Sequence, residues 1–181
     1  TGQHSADVVG AKAANLARMA ALGLPVPPAF VLPVKLCADI IEGDSRAERR
    51  LGDGLEEGIA FLEGATGKRI GDVRAPLLVS VRSGAARSMP GMLDTVLDVG
   101  CTSAAVRGLI RSTGRPRLAW DCRRRFLESY AETVLGLDPG PFAARLAQLV
   151  ASEGAASERE LDSEALERLV ADQRALIDDQ D

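Results

Sequence analysis

Residues Leu77–Asp98 read LLVSVRSGAARSMPGMLDTVLD, and the fold turns on how this stretch divides. Leu77-Leu78-Val79-Ser80-Val81 is an apolar, partly β-branched run that ends at Arg82 and breaks into Ser83-Gly84, the pattern of a buried strand emptying into a loop. Arg82 thus stands where a strand stops and a site begins. A guanidinium set there by a rigid element, beside a small hydroxyl and a glycine that admits close backbone approach, suits a phosphate or carboxylate held through two hydrogen bonds. The loop that follows carries Arg87, Ser88, Met89, the Pro90-Gly91 turn, Met92 and Asp94, a composition suited to folding over a ligand as a lid. Met89 and Met92 read first as packing residues, and Asp94 as a turn cap.

The whole chain has 181 residues, enough for one ordinary domain or two small ones, and 46% hydrophobic residues supply a core. No apolar run approaches the roughly 18 residues of a membrane span, and Thr1-Gly2-Gln3-His4-Ser5 has none of the regions of a signal peptide, so a cytoplasmic protein is expected. Cys37, Cys101 and Cys122 show neither paired spacing nor an even count, which argues for reduced thiols over a disulfide framework or zinc site. A net charge of −4 and 3% aromatic residues argue against a nucleic-acid partner. Ser83 and Ser88 have no histidine near them in sequence, so a nucleophilic triad is not supported and no catalytic residue is assigned.

Upstream, the apolar spacing from Ala6 to Gly23 fits an Ala-rich helix that starts near Gly10 and stops at Gly23-Leu24-Pro25. Lys12 then falls in the first turn, at the positive end of the helix dipole, where a cation is unfavourable unless it meets an anion. Pro25, Pro27 and Pro28 lead into a strand around residues 29–32, followed by a helix from Lys35 to Ile41. Leu51, Leu55, Ile59 and Leu62 predict one amphipathic helix, and Lys68-Arg69 precedes a turn.

After Asp98 the pattern becomes helical. Ser103 is the expected N-cap of a helix to Ser112, and Leu118, Cys122, Phe126, Tyr130 and Val134 stripe a second helix stopped near Gly136. On its other faces lies Arg123-Arg124-Arg125. Helices over Phe142–Val150 and Ser163–Asp178 complete the chain, joined by a small-residue acidic loop.

Three stretches carry a family resemblance. VRSGAARSMPGMLDTVLDVG closely resembles the nucleotide-binding domain of pyruvate phosphate dikinase, and VxVRS more loosely resembles phosphoenolpyruvate synthase. GAKAANLARMAALGLPVPPAFVL is similar to that family's opening motif, whose lysine contacts nucleotide phosphates and matches Lys12. Ala11 and Ala13 stand where the family has glycines, each adding a methyl group at a place suited to positive φ or close ligand approach. GRPRLAWDCRRRFLESYAETVLGL resembles the family's helical insert, whose arginine pair falls on Arg124 and Arg125.

The resemblance implies an α+β fold: a partial ATP-grasp-like first lobe over residues 1–98, then a helical subdomain over 99–181. It implies Lys12, Arg82, Ser83, Arg124 and Arg125 as ATP contacts, with Mg²⁺ as the companion ion and no metal ligand assigned. In the family a phosphoryl group passes to a histidine on a separate domain. The only histidine here, His4, sits in a polar tail unlike a phosphohistidine motif, and phosphoryl transfer needs several clamping cations and a metal together. The expected role is therefore the N-terminal, phosphate-binding part of a dikinase-like phosphotransferase, inactive without its further C-terminal domains. Two alternatives stand beside it: a non-catalytic interaction or regulatory module derived from that domain, and a homodimer in which a partner chain covers an exposed apolar face.

Overall fold

The computed structural model describes residues 5–84 and 95–179; the lid-like loop with Arg87, Ser88, Met89, Met92 and Asp94, and the tail residue His4, lie outside them. The described chain is mostly helical with one small sheet, compatible with an α+β class. It forms two compact units that interleave along the sequence, residues 1–68 with 82–94 and residues 69–81 with 95–181. Both strands up to Val81 and from Thr95 thus fall with the later helices, where the sequence reading puts a boundary near Asp98.

In the first unit a short helix α1 (Ala6–Val9) ends at Gly10, whose φ of 83° breaks the helical path before α2 (Ala11–Ala21) begins. The left-handed region costs glycine nothing, and that is why the break falls there. Gly23 (φ 77°) closes the far end, as the sequence predicts. Helix α3 (Val34–Ile41) is followed by α4 (Ser45–Thr66), which is capped by Asp44 accepting from Arg46 N at 2.9 Å and ended by left-handed Gly67.

The strand expected around residues 29–32 is not formed. The prolines hold the backbone extended, but no neighbouring strand hydrogen-bonds to it among the described residues. Instead Phe30 and Leu32 lie against α4, where Gly58 and Gly54 make room. A Cβ on Gly54 would come within 2.9 Å of Leu32 Cδ2, and one on Gly58 would enter the Phe30 ring. Gly54 and Gly58 are one turn apart and the two side chains are two residues apart, so helix and extended segment mesh at their natural periods.

In the second unit, which takes all of the first strand but its last residue, β1 (Val79–Arg82) pairs antiparallel with β2 (Thr95–Val99). The expected strand sits one to two residues later than its apolar run suggests, and it is buried only where the run begins: Leu77 is 6% exposed and Val81 55%. Gly100 (φ 97°) lets the chain pass the Leu77 carbonyl, from which a Cβ would stand only 2.8 Å away. Helix α5 (Ser103–Thr113) is capped by Thr102, one residue before the expected Ser103, through Ala105 N at 3.1 Å.

Helix α6 (Pro116–Thr133) is the centre of this unit, packing against β2, α5 and the last helix. Its buried side chains are Ala119, Arg124, Leu127 and Ala131, whereas Leu118 and Val134, the ends of the expected stripe, are exposed. Helices α7 (Gly140–Ser152) and α8 (Ser163–Asp178) follow. Leu161, Leu166 and Leu169 meet Trp120, Leu146 and Leu149 in one cluster, and Cys101, Val106 and Ala119 form a second with Leu78 and Phe126. No helix among the described residues is long and apolar enough to cross a membrane.

Candidate phosphate-binding site

In the first unit the site is built around the Gly10 break. Because α2 starts afresh there, its first-turn N–H groups point out of the helix end, and no side chain among the described residues caps them. Lys12 is half-buried in that first turn, so an ammonium and a set of N–H donors without a partner among the described residues share one helix end, a natural seat for an anion. Ala11 and Ala13 are both helical, and the left-handed residue is Gly10. The two alanines therefore sit without backbone strain where the family has glycines.

Arg82, Ser83 and Gly84 are exposed where β1 ends. A Cβ placed on Gly84 would lie 3.7 Å from the Val9 carbonyl oxygen, so the chain leaving Arg82 runs beside the end of α1, one residue before the Gly10 break. Lys12 and Arg82 form no salt bridge or side-chain hydrogen bond among the described residues. What the α2 start can do chemically is offer an ammonium and backbone donors to an oxyanion.

In the second unit the three consecutive arginines have three different fates. Arg123 turns toward the core, donating from Nη1 to the Cys101 carbonyl at 2.7 Å with its guanidinium over the Phe126 ring. Burial lowers its pKa. Arg124 is 5% exposed and its guanidinium is filled from within the fold. It donates from Nε and Nη2 to Asp121 Oδ1 (3.0 and 2.8 Å) and from Nη1 to both Glu128 oxygens (2.9 and 2.8 Å), with Glu158 Oε2 at 3.6 Å. Burial works to lower its pKa, but these carboxylates outweigh it and hold the charge in place. Arg125 points outward and touches Asp121 Oδ2 through Nε at 3.1 Å.

Asp121, Glu128 and Gln173 were not singled out by the sequence reading. The signal was present as spacing: an acid three residues before Arg124 and another four after it put both on one helix face. Asp98, which has φ 53°, lies at the end of β2; burial raises its carboxyl, while Arg125 and a hydrogen bond from Cys122 oppose the rise. Among the described residues no group of three or more His, Cys, Asp or Glu could hold a metal ion.

No family model matches the chain. Individual curated relatives do. Pyruvate, phosphate dikinase of Clostridium symbiosum is 36% identical over 163 residues, which is 90% of this chain and 19% of that protein. The enzyme of the same name from Rhizobium meliloti is 38% identical over 173 residues, 96% of this chain and 19% of its own length. The chloroplastic form from Mesembryanthemum crystallinum is 39% identical over 164 residues, 91% and 17% respectively. Across about nine-tenths of its length the chain is thus a sequence relative of the pyruvate, phosphate dikinases, while spanning less than a fifth of theirs.

Proposed function

We propose that this chain supplies the phosphate-binding end of an ATP site in a dikinase-like phosphotransferase. Lys12, Arg82 and Ser83 contact the nucleotide phosphates together with the backbone N–H groups that open α2. Arg124, whose nitrogens are all taken by carboxylates, is kept as a structural cation in this reading. The single observation that carries the proposal is the approach of Gly84 to Val9, because it brings the segment after Arg82 alongside the uncapped helix start that bears Lys12.

Phosphates fit what is present here: the Lys12 ammonium and backbone donors at one helix end. The described residues offer no cluster for a resident metal, so Mg²⁺ enters this reading as the counterion of the nucleotide, where it would offset phosphate charge. Phosphoryl transfer itself, to a histidine on another domain, belongs to the larger protein. An interaction role is a second reading, favoured by the exposure of Leu22 and Ile41.

Isothermal titration with Mg-ATP tests the proposal. Wild type is expected to bind, and Lys12→Ala and Arg82→Ala each to weaken binding about tenfold, or about 1.4 kcal/mol. Equal heats from wild type and Arg82→Ala would overturn it.

A further inference from the structure

A cavity of about 580 Å³ opens in the first unit between the extended segment at residues 30–33, the start of α3 and one face of α4. On α4 its wall is Arg50, Gly54, Glu57, Gly58 and Phe61, which recur at the helical period and so share that face. The two glycines contribute no side chains, and the apolar wall is set by Phe30, Leu36 and Phe61. Leu36 is buried, whereas Phe61 is 53% exposed, a ring left uncovered by the fold. The volume falls in the range of roughly 300–1,000 Å³ typical of small-molecule sites. Its twelve lining residues fall well short of the roughly 20–30 that a protein partner covers.

The charges of the lining do not cancel. Asp39, whose side chain is 13% exposed, accepts from Arg50 Nη2 at 2.8 Å and has Lys35 Nζ at 3.6 Å, and Arg50 also donates to Asp44 Oδ2 at 3.3 Å. Two cations thus meet two carboxylates of the protein itself. Glu57, the fourth charged residue of the lining, has no ion pair or hydrogen bond among the described residues. The charge left over beside the two rings is one carboxylate. Apolar walls with one unmatched anion select a ligand with an apolar body and one cationic head. An organic acid would meet Glu57 as a like charge and find both cations already taken.

We propose that this cavity binds a small amphipathic amine: Phe30, Leu36 and Phe61 take its apolar body, and the Glu57 carboxylate accepts from its ammonium. The proposal is independent of the phosphate-binding reading, because Lys12, Arg82 and Ser83 are not in the lining. Burial of the body supplies the affinity. Glu57 supplies the choice of head group, since an ion pair open to solvent is worth no more than about fivefold in binding.

The probes are diphenylpropylamine, diphenylpropanol and diphenylpropionic acid, which share one two-ring body and differ in head group. Each is titrated into wild type, Glu57→Gln and Phe61→Ala at neutral pH, followed by carbon-13 spectra of the Leu methyl and Phe ring groups. Wild type is expected to bind the amine about fivefold more tightly than the alcohol, and the acid least. Glu57→Gln should bring the amine to the affinity of the alcohol and leave the alcohol unchanged. Phe61→Ala should weaken amine and alcohol by the same factor, about threefold. Shifts confined to Phe30, Leu32, Leu36 and Phe61 place the ligand in the cavity. No binding of any probe, or shifts centred elsewhere, overturns the proposal. An alcohol or acid that binds as tightly as the amine overturns it too, as does a preference for the amine that survives Glu57→Gln or an affinity untouched by Phe61→Ala.

Discussion

Gln173 Nε2 donates to Glu128 Oε1 at 2.6 Å, so that α8 is joined to the ion cluster of α6 from inside the core. Removing the cation at the centre of that cluster would leave two carboxylates facing each other with little water. Arg124→Met is therefore expected to destabilise the helical unit by about 3–5 kcal/mol, read by urea unfolding at neutral pH. Arg124→Lys should recover only part of the loss, because one ammonium cannot reproduce a fork that serves Asp121 and Glu128 together.

Asp98 gives a pH dependence whose sign follows from burial. Its carboxyl is raised above the ordinary 3.8, so the folded state holds that proton more tightly than the unfolded state does. The associated stability is complete below 3.8 and is lost as pH rises through the folded value. Asp98→Asn removes the penalty of a buried charge at neutral pH, and asparagine tolerates the φ of 53° that the site imposes. The melting temperature is expected to rise by about 1–3 °C at pH 7, with the gain vanishing near pH 3.5. A gain that persists in acid would refute this account.

Thiol reactivity should separate the three cysteines. Burial pushes Cys101 up to about 12 and Cys122 up to about 11, whereas Cys37 is exposed. The thiolate is the reacting species, so iodoacetamide at pH 8 should modify Cys37 alone in the folded protein and all three in urea. Peptide mass mapping of the alkylated sites is the measurement.

Two glycine substitutions are expected to act in opposite directions. At Gly108 in α5 an added Cβ would stand 2.7 Å from the Val73 carbonyl oxygen and 3.0 Å from Pro76 Cδ, so Gly108→Ala should cost about 1–3 kcal/mol despite its better helix propensity. At Gly64 in α4 nothing lies within 4 Å, and Gly64→Ala should stabilise by about 0.5–1 kcal/mol. Denaturant midpoints of the two variants distinguish steric crowding from propensity.

The helices were legible because their signals are local. Leu62 and its spacing partners mark α4, and Gly114 and Gly23 mark stops that need only neighbouring residues to act. The segment 29–32 was misread because an extended apolar stretch becomes a strand only with a ladder partner, and a single stretch of sequence does not show one. The stripe on α6 failed at its ends for a related reason. Leu118 and Val134 lie on the expected line, but the small residues Ala119 and Ala131 set how closely its neighbours approach. The places of Lys12 at a helix start and of Arg82 at a strand end were legible from Gly10 and from the apolar run before Arg82. The different orientations of Arg124 and Arg125 depended on acids three and four residues away and on Gln173, which is 49 positions further along than Arg124.

The paired glycines of α4 have a consequence for uniqueness. Two glycines in one helix give up about 2 kcal/mol of intrinsic helical preference, so they do not strengthen the element that contains them. They act as a keyway. A slip of one residue would confront the Phe30 ring with Glu57 or Ile59, and neither leaves space for it where Gly58 does. The docking of that extended segment is thus selected by exclusion of its near neighbours, and a helix that is weaker alone specifies one alignment.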